Sequence, residues 1–214
     1  MNAGLGNLDS LRQHLLASSL AGDRSFDSVI TDIGVGVAAA FEKQCNRKFA
    51  YAAGDIVWFP ADHDCMVAPR YPLYSVDLIE RRDYAPNQFQ DITGWLLNFD
   101  RECGLVRFAG QLGTSIIMVR MTFTGGYFWE TLEPEVYAGY PSMAPMTPDG
   151  TPADPLPQDL RLAWLLQCRH VWASADKLGQ GMVTKPNVMS ALATMELIPT
   201  VKQTLRNYLR MQMS

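Results

Sequence analysis

The residue types that could do chemistry gather in one stretch. Asp62, His63, Asp64 and Cys65 stand side by side, and carboxylate, imidazole and thiol are all metal-ligand types. The chemistry such a set would carry is metal-assisted hydrolysis. Adjacent residues on an extended chain point to opposite sides, however, so the four cannot all face one ion. The plain expectation is a polar loop between two strands. His14 and His170 lie in helical stretches with no second histidine at i+4. Ser115 and Ser142 lack a nucleophile-elbow context, and Asp100 with Glu102 flank a turn. Gly34-Val35-Gly36 has no strand before it and no Lys-Ser/Thr after it, so it is not a phosphate loop. The chain is therefore expected to be no enzyme and to hold no cofactor. Asp62, His63 and Asp64 remain the ligands on which a metal-dependent hydrolase would have to rest.

Whole-chain numbers narrow the field further. The chain has 214 residues, 48% of them hydrophobic, enough for one large core or two small ones. Its net charge of −4 is too mild for bulk attraction to nucleic acid. That charge is uneven. Residues 158–214 hold 7 Lys and Arg against 3 Asp and Glu, while residues 1–157 hold 11 against 19. Trp58, Trp95, Tyr127, Phe128 and Trp129 could stack bases, but they are not interleaved with Lys or Arg, which favours packing instead. Cys45, Cys65, Cys103 and Cys168 show no Cys-x-x-Cys pair and read as reduced thiols, a disulfide being the alternative. No signal pattern opens the chain and no apolar run reaches the ~20 residues of a membrane span. A soluble protein made in the cytosol is expected.

The elements that must position these residues follow from periodicity. Residues 1–6 read as a loose arm. Asn7 can cap a short helix with Leu8, Leu11, Leu15 and Leu16 on one face. Ser25 or Asp27 can cap a second, with Val29, Ile30, Ile33, Val37, Ala40 and Phe41 inward. Gly34 and Gly36 inside it imply close approach of another helix or subunit. Strands are predicted at 55–60, 65–68 and 74–81, as a hairpin of 95–99 with 105–108, and at 115–123. Residues 134–157 hold seven of the thirteen prolines and read as an extended arm or linker. Helices return from Gln158 to about Ala175 and again after Pro186. A last helix is predicted from a Thr200 cap, with the stripe Val201, Leu205, Leu209 and Met213, Tyr208 beside it, and Lys202, Arg206 and Arg210 on an adjacent face. An apolar stripe beside a basic face suits docking on a partner helix.

Three motifs carry a resemblance. Val119, Met121 and Phe123 alternate along a strand that ends in Thr124-Gly125-Gly126-Tyr127. After the proline passage comes Pro157-x-Asp159-Leu160-Arg161-x-Ala163, and after Pro199 comes Leu205-Arg206-Asn207-Tyr208-Leu209. The order resembles the head–tail connector (adaptor or neck) proteins of tailed bacteriophages, and the β region and proline arm are longer than in compact members. The resemblance implies a structural virion protein, made in the host cytoplasm. It would form a ring, commonly twelvefold, below the portal protein. The ring would extend the DNA channel and join a downstream neck or tail protein, with DNA passing unbound and no membrane involved. A ring-forming tail-completion or terminator protein is the alternative. The family's C-terminal segment touches the portal, which places a portal interface on Val201, Lys202, Leu205, Arg206, Tyr208, Leu209, Arg210 and Met213. Tyr140, Pro141, Met143, Pro145, Met146 and Pro148 would form an arm between subunits.

The expected fold class is α+β: a small helical bundle from both ends of the chain with an inserted antiparallel β module. The expected boundaries are 1–50 and 158–214 for the helical core, 51–133 for the module and 134–157 for the arm.

Overall fold

A computed structural model describes residues 3–16, 24–82, 88–129, 144–178 and 185–210. Helices and antiparallel sheets both appear, so the fold is α+β. The chain divides into two compact units. One spans Met1–Cys45, Trp129–Met143 and Pro155–Leu209, the other Asn46–Phe128, Ala144–Asp154 and Arg210–Ser214. Among the described residues no helix is long and apolar enough to cross a membrane.

The first unit is helical: α1 (Leu8–Leu15), α2 (Asp27–Cys45), α3 (Gln158–Leu178), α4 (Lys185–Ala193) and α5 (Pro199–Leu205). Asn7 caps α1, its Oδ1 accepting the Ser10 N–H at 2.7 Å. Asp27 is the first residue of α2, and its carboxylate is spent on Arg12, which donates from Nε and Nη2 at 2.9 Å each. Arg12 also binds Asp9, so this buried guanidinium is fully offset. Asn46 closes α2 in the left-handed region at φ 50, a conformation asparagine tolerates at helix ends.

Ile30, Ile33, Val37 and Phe41 face inward from α2, as their spacing requires. Gly34 and Gly36 are close-approach positions. A Cβ on Gly34 would stand 1.9 Å from the Ala3 carbonyl oxygen, and one on Gly36 would meet Leu192 of α4 at 2.9 Å. Residues 3–6 are thus not the loose arm expected of them. Ala3 and Leu5 are buried, and the Ala3 N–H donates to Gly6 O at 3.1 Å. Small residues let the chain lie flat on α2, where longer side chains would hold it off.

The C-terminal helix also departs from expectation. Ile198 is the N-cap and Pro199 sits in the first turn; Thr200 is already helical. The helix stops at Leu205, and Arg206–Tyr208 form a 3₁₀ turn. Gln167, fully buried on α3, fixes this corner. It donates from Nε2 to Glu196 O at 3.0 Å and accepts the Ile198 N–H at 3.1 Å.

The second unit holds β1 (Ala52–Pro60), β2 (Cys65–Val67), β3 (Leu73–Arg82), β4 (Phe89–Asp91), β5 (Leu96–Phe99), β6 (Leu105–Phe108) and β7 (Met118–Gly125). One sheet runs β1-β7-β3-β4 and a second runs β2-β6-β5, all antiparallel. Phe59, Met66, Ile79, Val106, Val119 and Met121 come from both sheets into one core. The predicted hairpin is β5–β6. Gly125 and Gly126 end β7 for a reason more specific than turn-making. The strand end runs against other backbone: a Cβ on Gly125 would lie 2.8 Å from Pro72 O, and one on Gly126 2.4 Å from Ala50 O.

The segment expected as an extended arm is partly closed. In residues 144–154 the chain doubles back: Met146 bridges Pro152, Thr147 N–H donates to Thr151 O at 2.8 Å, and Ala153 N–H donates to Pro145 O at 2.9 Å. Proline stiffness here serves a turn, because Thr and Asp side chains between the prolines supply local acceptors.

Candidate assembly surfaces

The outer face of the four-stranded sheet presents the most unusual surface. Strand register places Trp58 of β1 opposite Arg120 of β7, Arg120 opposite Glu80 of β3, and Glu80 opposite Asp91 of β4. One row therefore crosses all four strands on one face. Phe89, two residues from Asp91, shares that face, as does Ile56, two from Trp58. Arg120 organises the row. It donates to Glu80 Oε2 from Nε at 2.9 Å and from Nη2 at 2.6 Å. Its guanidinium carbon also lies 4.5 Å from the Phe89 ring centre and 5.8 Å from that of Trp58. The two rings sit 6.0 Å apart, so residues from opposite edges of the sheet meet above Arg120. Ile56, Trp58 and Phe89 nevertheless remain 50%, 44% and 37% exposed.

The turn at 144–154 is held to its own unit by a charged clip. Arg101 Nη2 donates to both Asp154 carboxylate oxygens at 2.8 Å, and its guanidinium lies 4.9 Å from the Tyr74 ring centre. The Asp154 N–H donates to the Tyr74 hydroxyl at 2.7 Å. At the tip, the hydroxyls of Thr147 and Thr151 hold the exposed Asp149 carboxyl down to about 2. Burial pushes the Tyr74 phenol up to about 12, and the nearby Asp154 carboxylate adds to the rise. Phenolate forms in the unfolded chain near pH 10 and in the folded chain only near 12, so this contribution to stability is whole below pH 10 and is lost as pH climbs to 12. In a 295 nm titration one tyrosine should ionise with a midpoint near 12 and Tyr74→Phe should delete it; an unchanged curve in that variant would refute the assignment.

The residues singled out from sequence are dispersed. Val201 and Leu205 are buried inside the helical unit, while Lys202, Arg206 and Leu209 are exposed. Tyr208 donates to Asp159 Oδ1 at 2.6 Å. Arg210 does not share a helical face with Lys202 and Arg206, because the helix has already ended. It belongs to the β unit and donates to Val67 O. Burial lowers its pKa. Of the proposed arm, Pro145, Met146 and Pro148 lie in the closed turn with Met146 and Pro148 exposed. Tyr140, Pro141, Met143 and Met213 lie outside the described residues, as does Ser142.

Asp62 and His63 approach to 3.7 Å at an exposed turn between β1 and β2, and Cys65 donates to Asp64 Oδ1 at 3.2 Å. Burial, then Asp64, pushes the Cys65 thiol up. Among the described residues no three His, Cys, Asp or Glu side chains gather as a metal site. All four cysteines are free. His14 lines an open groove of about 610 Å³ between α1 and α3 with Arg161 and Leu162, and burial, aided by the charge of Arg169, lowers its pKa.

Sequence reading named Trp58 but missed the row around it. The available signal was Ile56-Val57-Trp58-Phe59, apolar on both faces of a strand whose outward face would ordinarily be polar.

No protein-family model matches this chain, and no curated protein sequence does. Its likeness is to solved particle structures. A chain from the virion of a native gene transfer agent particle superposes with a TM-score of 0.55 at 14% identity, over 97% of this chain and 90% of that one. A chain from the neck of an empty gene transfer agent particle, computed with C6 symmetry, gives 0.55 at 15% identity over the same shares. At these identities the likeness is one of fold, and it takes in nearly the full length of both chains.

Proposed function

We propose that this protein is a structural subunit of a phage-type particle, a head–tail connector that forms a ring in the neck. The observation that carries the reading is the fold likeness to a neck chain across 97% of this chain. Local likeness could arise from one common unit; a match through both units supports a shared architecture. In this reading the ring sits below the portal protein, extends the DNA channel and receives the next neck or tail component. A twelvefold ring would also obey the sixfold symmetry used for that neck. The helical unit acts as the connector core and the β unit as an inserted module. The exposed Lys202, Arg206 and Leu209 are the part of the C-terminal segment free to meet a portal. An acidic chain of net charge −4 suits a passage that DNA must cross without adhering, since like charge opposes phosphate contact. Catalysis and cofactors have no part in this role.

The test is the mass of the purified protein, alone and with a portal ring, by light scattering with negative-stain imaging. Rings, either free or formed on the portal, are the expected result. A chain that stays single with the portal and binds a tail tube instead would replace the connector with a tail terminator. A chain that associates with neither would sink both.

A further inference from the structure

A ring of identical subunits is built from a heterologous junction, in which one patch of each copy meets a different patch of the next. We infer that the outward face of α3 is one half of that junction, and that its occupant is the acidic segment 130–143 of a second copy of this chain. The inference rests on the ring proposed above.

The α3 face is apolar and bracketed by cations. Leu162 and Leu166, one turn apart, are 51% and 44% exposed, where the outer face of a helix ordinarily carries polar residues. Arg161 and Arg169 stand at either end of this pair. Neither forms an ion pair among the described residues, and the Arg161 guanidinium donates to the neutral Ser10 hydroxyl at 3.3 Å. The groove beside them, lined by Ser10, His14, Leu162 and Leu165, has no Asp or Glu among its described lining residues. Asp159, two residues ahead of Arg161, is engaged by the Tyr208 hydroxyl at 2.6 Å and by the Leu160 N–H at 2.9 Å.

The chain supplies the complement. Between Arg120 and Arg161 it has no Lys or Arg and six Asp and Glu. Asp149 is held by Thr147 and Thr151, Asp154 by Arg101 and Asp159 by Tyr208. The other three, Glu130, Glu133 and Glu135, fall in residues 130–143, interspersed with Leu132, Val136, Tyr137 and Tyr140. An acidic, apolar segment thus matches an apolar face bracketed by cations. The segment leaves from Trp129 and returns at Ala144, a length that reaches about 20 Å out and back, enough to cross onto a neighbouring copy. The turn at 144–154 cannot play this part, because Asp154 clips it to its own unit. Face and segment are different patches carried by every copy, as a closing ring requires.

The experiment swaps charge between the two patches in full-length chains, under whichever condition, chain alone or chain with portal, yields wild-type rings. One variant carries Arg161→Glu with Arg169→Glu, the other Glu130→Arg with Glu133→Arg and Glu135→Arg. Far-ultraviolet circular dichroism should show both folded. Each variant alone should lose the ring and elute as single chains, because like charges then meet at every junction. An equimolar mixture should regain rings of alternating copies, since each native segment then finds a native face and each reversed segment a reversed face. A chain carrying both sets of substitutions should regain rings as well. Rings from either variant alone would overturn the inference while leaving the connector reading in place. So would a mixture that stays single: if the chain with both sets forms rings, the segment lies on its own copy, and if it does not, the patches never meet. Wild-type chains that never form rings would remove both readings. Should the Arg161→Glu pair fail to fold, Leu166→Glu with Arg169→Glu, at two exposed positions, reverses the same face and should show the same rescue.

Discussion

Trp164→Ala is expected to cost the helical unit about 3–5 kcal/mol, the range for deleting a large aromatic from a closed core. Trp164 is fully buried on α3, and its ring is packed from more than one side. A Cβ on Gly6 would touch it at 2.8 Å, so the N-terminal segment lies directly on the indole. Its Nε1 donates to Gly34 O at 2.9 Å, tying α3 to α2 at the point where residues 3–6 cross. The alanine variant opens a cavity and removes that donor together, and three segments lose their common support. Trp164→Phe separates the terms. It restores most of the volume without the N–H and should cost only about 1–3 kcal/mol. Urea denaturation followed by tryptophan-independent circular dichroism measures both. A loss below about 1 kcal/mol for the alanine variant would show that the site relaxes freely, contrary to this packing.

Gly126→Ala should be nearly as damaging, by a different route. Gly126 has φ +100, which side chains rarely adopt, and a Cβ there would meet Ala50 O at 2.4 Å, Ala50 C at 2.7 Å and Tyr51 N at 2.9 Å. All three are backbone atoms and cannot swing aside. The Gly126 N–H also donates to Pro72 O at 2.8 Å, so the residue cannot move without breaking that bond. Unfavourable φ costs about 1–3 kcal/mol by itself, and the clash adds to it. Gly54→Ala provides the control, because Gly54 also has positive φ, +66, yet opens onto nothing within 4 Å. Its cost should be about 1 kcal/mol, the left-handed penalty alone. Equal stability losses in the two variants would show that the clash at Gly126 is avoided.

These two sites show what sequence does and does not convey. Apolar spacing located α2, α3 and most strands, because periodic burial is a local property of the chain. The Thr-Gly-Gly-Tyr motif marked a strand end correctly. Its reason, backbone crossing backbone at Ala50, depends on a segment far away in sequence. Residues 3–6 looked loose because glycine and alanine carry no periodic signal, yet that smallness is what lets them pack on Gly34. The Val201–Met213 stripe kept helical spacing past the point where the helix ends. Arg210 is drawn instead to Val67 O, a tertiary pull that outweighs propensity. Gln167 gave no sign that both ends of its amide would be used inside. The exposed row on the sheet was half visible in Ile56-Val57-Trp58-Phe59. Its remaining members come from three other strands and needed the register to be known.

The way β1 and β7 return to each other bears on how the chain folds during synthesis. Residues 46–157 separate α2 from α3, so on the ribosome α2 emerges long before its packing partner exists. The β unit is almost continuous in sequence, and its two ends are stitched together. Tyr51 N–H donates to Tyr127 O at 2.8 Å, and Tyr127 N–H donates to Phe49 O at 2.7 Å. Once those bonds form, the nascent loop between α2 and α3 is shortened to roughly a third of its length. Closing it then costs about 1 kcal/mol less, by the logarithmic dependence of loop entropy on length. Closing the β unit thus lowers the entropy cost of bringing α2 and α3 together.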